Sequence, residues 1–185
     1  MPRTSDKRER LIRSADNLIL QRGFKQTTLA DIAEDSGVPL GNVYYYFKTK
    51  EDIGKTVIET RLDKLQKLLT KCSQAPSPRS RLLAFLDYPA NIRATLLNNG
   101  CPLGTLSYEL SRDETCLRDA SGELIRTLLD WSTVQFSEMG DPDPQALGLQ
   151  LVCNLQGMSL VANTLHQTEA IDIMVERTRK WIESI

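Results

Sequence analysis

The sequence predicts an all-α fold with a small N-terminal head and a larger helical body, and three observations carry that expectation. Apolar residues recur at helical spacing through most of the 185 residues. Glycine and proline clusters cut this pattern into segments of helix length. No run alternates apolar and polar residues as a half-buried strand does.

The first helix is expected near Asp6, where Asp6 and Glu9 have the form of a capping box. Leu11, Ile12, Ala15, Leu18 and Ile19 share one face, and Gly23 supplies the left-handed end. Thr27 or Thr28 caps a second helix with Leu29, Ile32 and Ala33 inside, and Ser36-Gly37-Val38 breaks it. Pro39 fits the first turn of a third helix, since its missing N–H costs nothing there. In that helix Leu40, Val43 and Phe47 share the inner side. Gly41, Asn42 and Tyr45 lie opposite, flanked by Tyr44 and Tyr46.

A long fourth helix is expected from Lys50 to Lys71, ended by Gln74-Ala75-Pro76-Ser77-Pro78. The body then reads as helical segments at Leu82–Leu97, Cys101–Leu110, Leu117–Met139, Gln145–Leu165 and Glu169–Glu183. This makes about nine helices, with a head at 1–50, a helix-turn-helix at about 29–48, and a body at 51–185.

Charge divides along the same line. Residues 1–50 carry nine Lys/Arg (Arg3 among them) against six acids, a net of +3, although the whole chain is only -1. The remaining 14 Lys/Arg face 18 acids, a net of -4. A basic head suggests that this end meets phosphate. Two short helices around a glycine turn, the second rich in tyrosine, fit the same partner: double-stranded DNA.

Several other classes find little support. No apolar run approaches the roughly 20 residues of a membrane span, and the start lacks the apolar stretch of a signal peptide, so the expected location is the cytoplasm. Cys72, Cys101, Cys116 and Cys153 are 29, 15 and 37 positions apart, without metal-knuckle or C-x-x-C spacing, and His166 is the one histidine. Neither a metal nor a cofactor is expected, and structural disulfides are not expected in a reducing compartment. With no G-x-S-x-G, P-loop or H-E-x-x-H, the enzyme alternative reduces to a cysteine-based redox mechanism. A helical scaffold protein is the other alternative, but it leaves the tyrosine helix and the basic head without a purpose.

Residues 6 to about 58 resemble the TetR family of bacterial transcriptional regulators, in Gly23-Phe24, Thr27-Thr28, Asp31-Ile32-Ala33, Gly37-Val38, Gly41, Val43-Tyr44-Tyr45-Tyr46-Phe47 and Lys50-Glu51. The resemblance implies a homodimeric regulator, by default a repressor, whose heads enter successive major grooves of a palindromic operator. It implies that Gly41 and Asn42 approach base edges, Asn42 with donor and acceptor suited to adenine. Tyr44 and Tyr46 would touch phosphates, although Tyr46 stands where a histidine is often found, and Tyr45 a thymine methyl or sugar. Thr28 would offer a hydroxyl and N–H to a phosphate, with charge from Lys48 and Lys50.

The segment from Asn99 to Leu110 resembles a Gly-Cys stretch in a branch whose members sense electrophiles or oxidants. Cys101 is therefore the candidate sensor, expected near a helix N-terminus, with Cys116 as a candidate resolving thiol and Cys72 and Cys153 as packing residues. A non-covalent small-molecule effector would use Phe85, Tyr88, Trp131, Phe136 and Met158, residues that can also be simply core. Gly157 permits close helix approach, which fits a dimer interface made by the last two helices.

Overall fold

The computed structural model describes residues 4–112 and 116–185, which form eleven helices and no strand. Arg3, counted above in the basic head, lies outside the described residues. Helix α1 (Thr4–Arg22) buries Leu11, Ala15, Leu18 and Ile19. Asp6 lies inside α1 and does not start it; as a first-turn acid it faces the positive end of the helix dipole. Gly23 ends α1 at φ 86°, its N–H bonded to the Ile19 carbonyl at 2.9 Å.

Thr28, not Thr27, caps α2 (Leu29–Ser36). Thr27 is buried and donates its hydroxyl to the Gly23 carbonyl at 2.8 Å, pinning the turn. Gly37 takes a left-handed φ of 63° after α2, and Val38 N–H reaches back to the Ala33 carbonyl at 3.1 Å. Pro39 stands just before α3 (Leu40–Tyr46), one place earlier than expected, and its carbonyl accepts from Asn42 N–H at 2.8 Å. Helix α4 spans Lys50–Cys72.

Where one helix is expected over Leu82–Leu97, three short ones stand: α5 (Pro78–Phe85), α6 (Asp87–Asn91) and α7 (Arg93–Asn99). Pro89 supplies the reason. It lacks an N–H and would break a continuing helix, but a fresh start at Asp87 places it in a first turn, where no donor is required. This division accounts for eleven helices in place of about nine. The remainder are α8 (Pro102–Ser111), α9 (Leu117–Glu138), α10 (Pro144–Leu165) and α11 (Glu169–Ser184), with His166 in left-handed conformation closing α10.

Two compact units result. One takes Met1–Arg61 with Thr105–Gly122, the other Leu62–Gly104 with Glu123–Ile185. The first therefore reaches past the 50/51 boundary read from the sequence. In the first unit, α1 packs on α2 and α2 on α3, and Arg61 of α4 grips Asp16 of α1 at 2.7 Å with both side chains nearly buried. In the second, α10 packs on α11 and α7, and α11 also covers α5 and α6.

Candidate nucleic-acid interface and thiol site

Helix α3 is anchored on one side and open on the other. Val43 and Phe47 are buried, while Tyr44 is 48% and Tyr45 70% exposed. Asn42 is half-buried, Gly41 is exposed, and a Cβ at Gly41 would meet nothing within 4 Å. Tyr46 is half-buried with its ring edge-on to Tyr45 at 5.0 Å. Leu40, which helical spacing turns inward and the family resemblance turns toward DNA, is 40% exposed beside Gly41. It sits at the first residue of a seven-residue helix.

The helix-turn-helix is braced from α1. The Arg10 guanidinium donates to the Ser36 carbonyl, Arg8 lies 5.6 Å over the Phe47 ring, and Ser14 donates to Asp35 at 2.6 Å. These non-local ties fix the angle at which α3 is presented.

Two expected phosphate ligands are placed differently. The Thr28 N–H and hydroxyl both donate to Asp31 Oδ2, at 2.8 and 2.7 Å, while its Oγ1 accepts from Asp31 N–H at 3.1 Å. Thr28 is thus half of a capping box, with its donors already used. The Thr28 hydroxyl and N–H hold the Asp31 carboxyl below its ordinary range. Because a depressed carboxyl stabilises the fold only while ionised, the cap acts above the ordinary Asp value and fades as pH falls below it. Thr28→Ala should cost about 1 kcal/mol at neutral pH. In denaturant melts that difference should shrink below about pH 3.8.

Lys50 is the second. Its ammonium donates to the Lys25 carbonyl at 2.8 Å and sits 4.7 Å over the Phe24 ring. Burial holds it below the ordinary lysine range, against the pull of Glu109, Glu51 and Asp31. Glu109 of α8 accepts from the consecutive N–H groups of Phe24 and Lys25, both at 2.7 Å, so a carboxylate, not a phosphate, fills this turn. Lys48, by contrast, is exposed, with its N–H given to Asp52 at 2.9 Å.

In the other unit, Cys101 immediately precedes α8. Its sulfur accepts from the Gly104 N–H at 3.4 Å and from the Gln156 amide of α10 at 3.5 Å. All four cysteines are free thiols. Cys72 is buried, and burial pushes its thiol up. Cys153 is exposed on α10 instead of packed, because it lies opposite the face that meets α7 and α11. Cys116 is exposed and falls in the other unit from Cys101.

Of the expected effector residues, Phe85, Tyr88 and Trp131 come together, with ring centroids 6.2 Å (Phe85–Tyr88) and 5.7 Å (Phe85–Trp131) apart. Phe136 is wholly buried against Trp181 at 5.6 Å, and Met158 is buried on α10. These two therefore read as core. Among the described residues no three metal-ligating side chains gather, and no helix is long and apolar enough to cross a membrane. Asp31, Glu109, Gln156 and Trp181 were missed by the sequence reading. Only Asp31 had a local signal, three places after Thr28.

A glycine-turn pair of helices with an anchored apolar side and an exposed Gly-Asn-Tyr-Tyr side defines a helix-turn-helix protein of the kind that reads DNA. The family profile described as "Bacterial regulatory proteins, tetR family" matches residues 11–55, so this segment is similar to the DNA-binding head of TetR-type regulators. It is 28% identical to the HTH-type transcriptional repressor DhaR of Mycobacterium sp. strain GP1 over 176 residues, 89% of this chain and 86% of that one. It is 33% identical to the HTH-type transcriptional repressor NemR of Escherichia coli K12, over 55% of this chain and 49% of that protein. Among solved structures, a TetR regulator from Legionella pneumophila superposes with a TM-score of 0.84 at 20% identity, covering 100% and 97% of the two chains. Reduced E. coli NemR superposes at 0.79 with 24% identity, covering 92% and 94%. At these identities the superpositions speak for the fold.

Proposed function

We propose that the protein is a transcriptional repressor that binds a palindromic operator as a homodimer and is released by an effector acting on the body. The head, residues 1–50, carries the DNA contacts, and residues 51–185 hold the effector site and the dimer interface. The observation that carries this reading is the open side of α3, with Gly41, Asn42, Tyr44 and Tyr45 outward above buried Val43 and Phe47. Asn42 reads a base edge, Gly41 lets the backbone approach, and the tyrosine hydroxyls and Lys48 position the head on phosphates. Thr28 and Lys50 act by shaping the head, in keeping with their internal partners.

Dimerisation uses α10 and α11. Leu149, Leu160, Val161 and Leu165 on α10 and Ile173 on α11 are 43–66% exposed, beside small Cys153 and Gly157, an apolar surface that calls for a partner. Leu160→Arg should convert the dimer to a monomer in sedimentation velocity and abolish tight operator binding. A dimeric variant with normal binding would place the interface elsewhere. Cys101 is the effector-responsive group, and its modification favours a separation of the heads that no longer matches the groove spacing. The Phe85–Tyr88–Trp131 cluster is the second, non-covalent effector candidate. Footprinting on the DNA upstream of the coding region tests the whole: two protected half-sites about one helical turn apart, or a multiple of it, are expected. A single unpaired footprint contradicts the dimer.

A further inference from the structure

Resting on the reading of the head as the DNA-binding end, we infer that Lys50 is a phosphate contact held in reserve and that Glu109 of α8 is the group that restrains it. While Glu109 holds the turn between α1 and α2, Lys50 stays docked inward. When Glu109 is withdrawn, Lys50 swings out to a phosphate of the DNA backbone. The lysine is placed for either role: it opens α4, two residues after exposed Lys48, and its ammonium rides on a flexible four-carbon stem.

The two charges bracket one residue. Glu109 accepts from the Lys25 N–H, and the Lys50 ammonium donates to the Lys25 carbonyl, so the carboxylate fixes the same backbone on which the lysine is docked. Each carboxylate oxygen takes one bond, Oε1 from the Lys25 N–H and Oε2 from the Phe24 N–H. Gly23 leaves room for this, since a Cβ there would stand 3.0 Å from Glu109 Oε2. Among the carboxylates that favour the charged form of Lys50, Glu109 comes ahead of Glu51 and Asp31, and it offsets part of the burial that disfavours that form. Without Glu109 the half-buried ammonium keeps only a carbonyl and the Phe24 ring to set against the pull of water and a phosphate.

A separate contact keeps this end of α8 on the head when the carboxylate is lost. Gly54 of α4 lies so close to the Phe24 ring and to Leu117 of α9 that a Cβ there would meet them at 2.6 and 2.9 Å. Phe24 and Leu117 are buried, and the Ser107 hydroxyl of α8 donates to the Ser121 carbonyl of α9 at 2.6 Å. All of these residues fall in one compact unit, Met1–Arg61 with Thr105–Gly122. Glu109 is therefore a polar prong beside an apolar anchor. Its N–H partners can pass to water, because the turn is exposed at Lys25.

The test is the salt dependence of binding by the full chain to its upstream duplex and to a scrambled duplex, between 50 and 200 mM. Glu109→Gln offers one acceptor where two are needed and sets an N–H against an N–H, so it should release the turn. The variant should bind both duplexes more tightly than wild type at low salt, with a slope steeper by about 1 per head. For the two heads of a dimer that advantage should shrink about tenfold across the range. Adding Lys50→Ala to Glu109→Gln should return the slope to the wild-type value. Lys50→Ala alone should leave the slope as it was, whatever it costs in affinity. A glutamate that only stabilised the head would give weaker binding for Glu109→Gln, an unchanged slope and no dependence on Lys50. That result overturns the inference, and so does a shallower slope for Lys50→Ala alone, a measurement that needs no Glu109 variant to fold. Wild-type protein that binds neither duplex would instead overturn the DNA-binding reading, and the restraint on Lys50 with it.

Discussion

Asp16→Ala should destabilise the head by about 3–5 kcal/mol, the cost of removing one member of a buried ion pair. The Arg61 side chain is 4% exposed, and its Nε donates to Asp16 Oδ1 at 2.7 Å while an Nη donates to the Asp16 carbonyl at 3.2 Å. The alanine keeps the carbonyl bond but removes the carboxylate that faces the guanidinium between α1 and α4. Against a typical total of about 5–15 kcal/mol, such a loss leaves a measurable fraction of heads unfolded near physiological temperature. Denaturant melts should show a midpoint well below wild type, and operator binding should fall with the folded fraction. The double variant Asp16→Leu/Arg61→Met should recover much of the loss, because an apolar pair carries no desolvation penalty. A loss under about 1 kcal/mol for Asp16→Ala would mean that the pair is effectively solvated.

The second large effect concerns specificity. Asn42→Ala should reduce discrimination between the operator and a one-base variant of each half-site by about ten- to hundredfold, the worth of a bidentate base contact. Lys48→Ala should behave differently. Its side chain is exposed, so its loss weakens binding to all sequences alike and lowers the salt slope by about 1 per head. Measuring both variants on operator and scrambled DNA separates the two roles. If Asn42→Ala keeps full discrimination, base readout lies in another residue of α3, and Leu40, exposed beside Gly41, is the first to test.

Local chemistry made the head legible in the sequence. Gly23 and Gly37 occupy left-handed positions, Thr28 caps α2, and the apolar period places Leu11, Ile32, Val43 and Phe47 in the core. What the sequence concealed was mostly non-local. Glu109 reaches the Phe24–Lys25 turn across some 84 residues of chain and thereby redirects Lys50. No spacing rule announces such a contact. The Leu82–Leu97 stretch misled because its apolar residues keep helical period through Pro89, while the backbone restarts to accommodate it. Cys101 was legible as a helix-start thiol, but Gln156, its partner from α10, was not, since the two are 55 residues apart. Leu149, Leu160 and Leu165 are apolar by sequence, and only the fold reveals that they are uncovered.

Helix α3 is proposed to hold DNA by sequence. Fluorescence anisotropy with the chain's own upstream DNA and a scrambled duplex of equal length, between 50 and 200 mM salt, tests it most directly. Expected is tight binding to the upstream sequence that weakens on the order of a thousandfold across that range for about six phosphate contacts, with the scrambled duplex at least about a thousandfold weaker at any one salt. Equal affinity for both duplexes, or none for either with the protein folded, would contradict it.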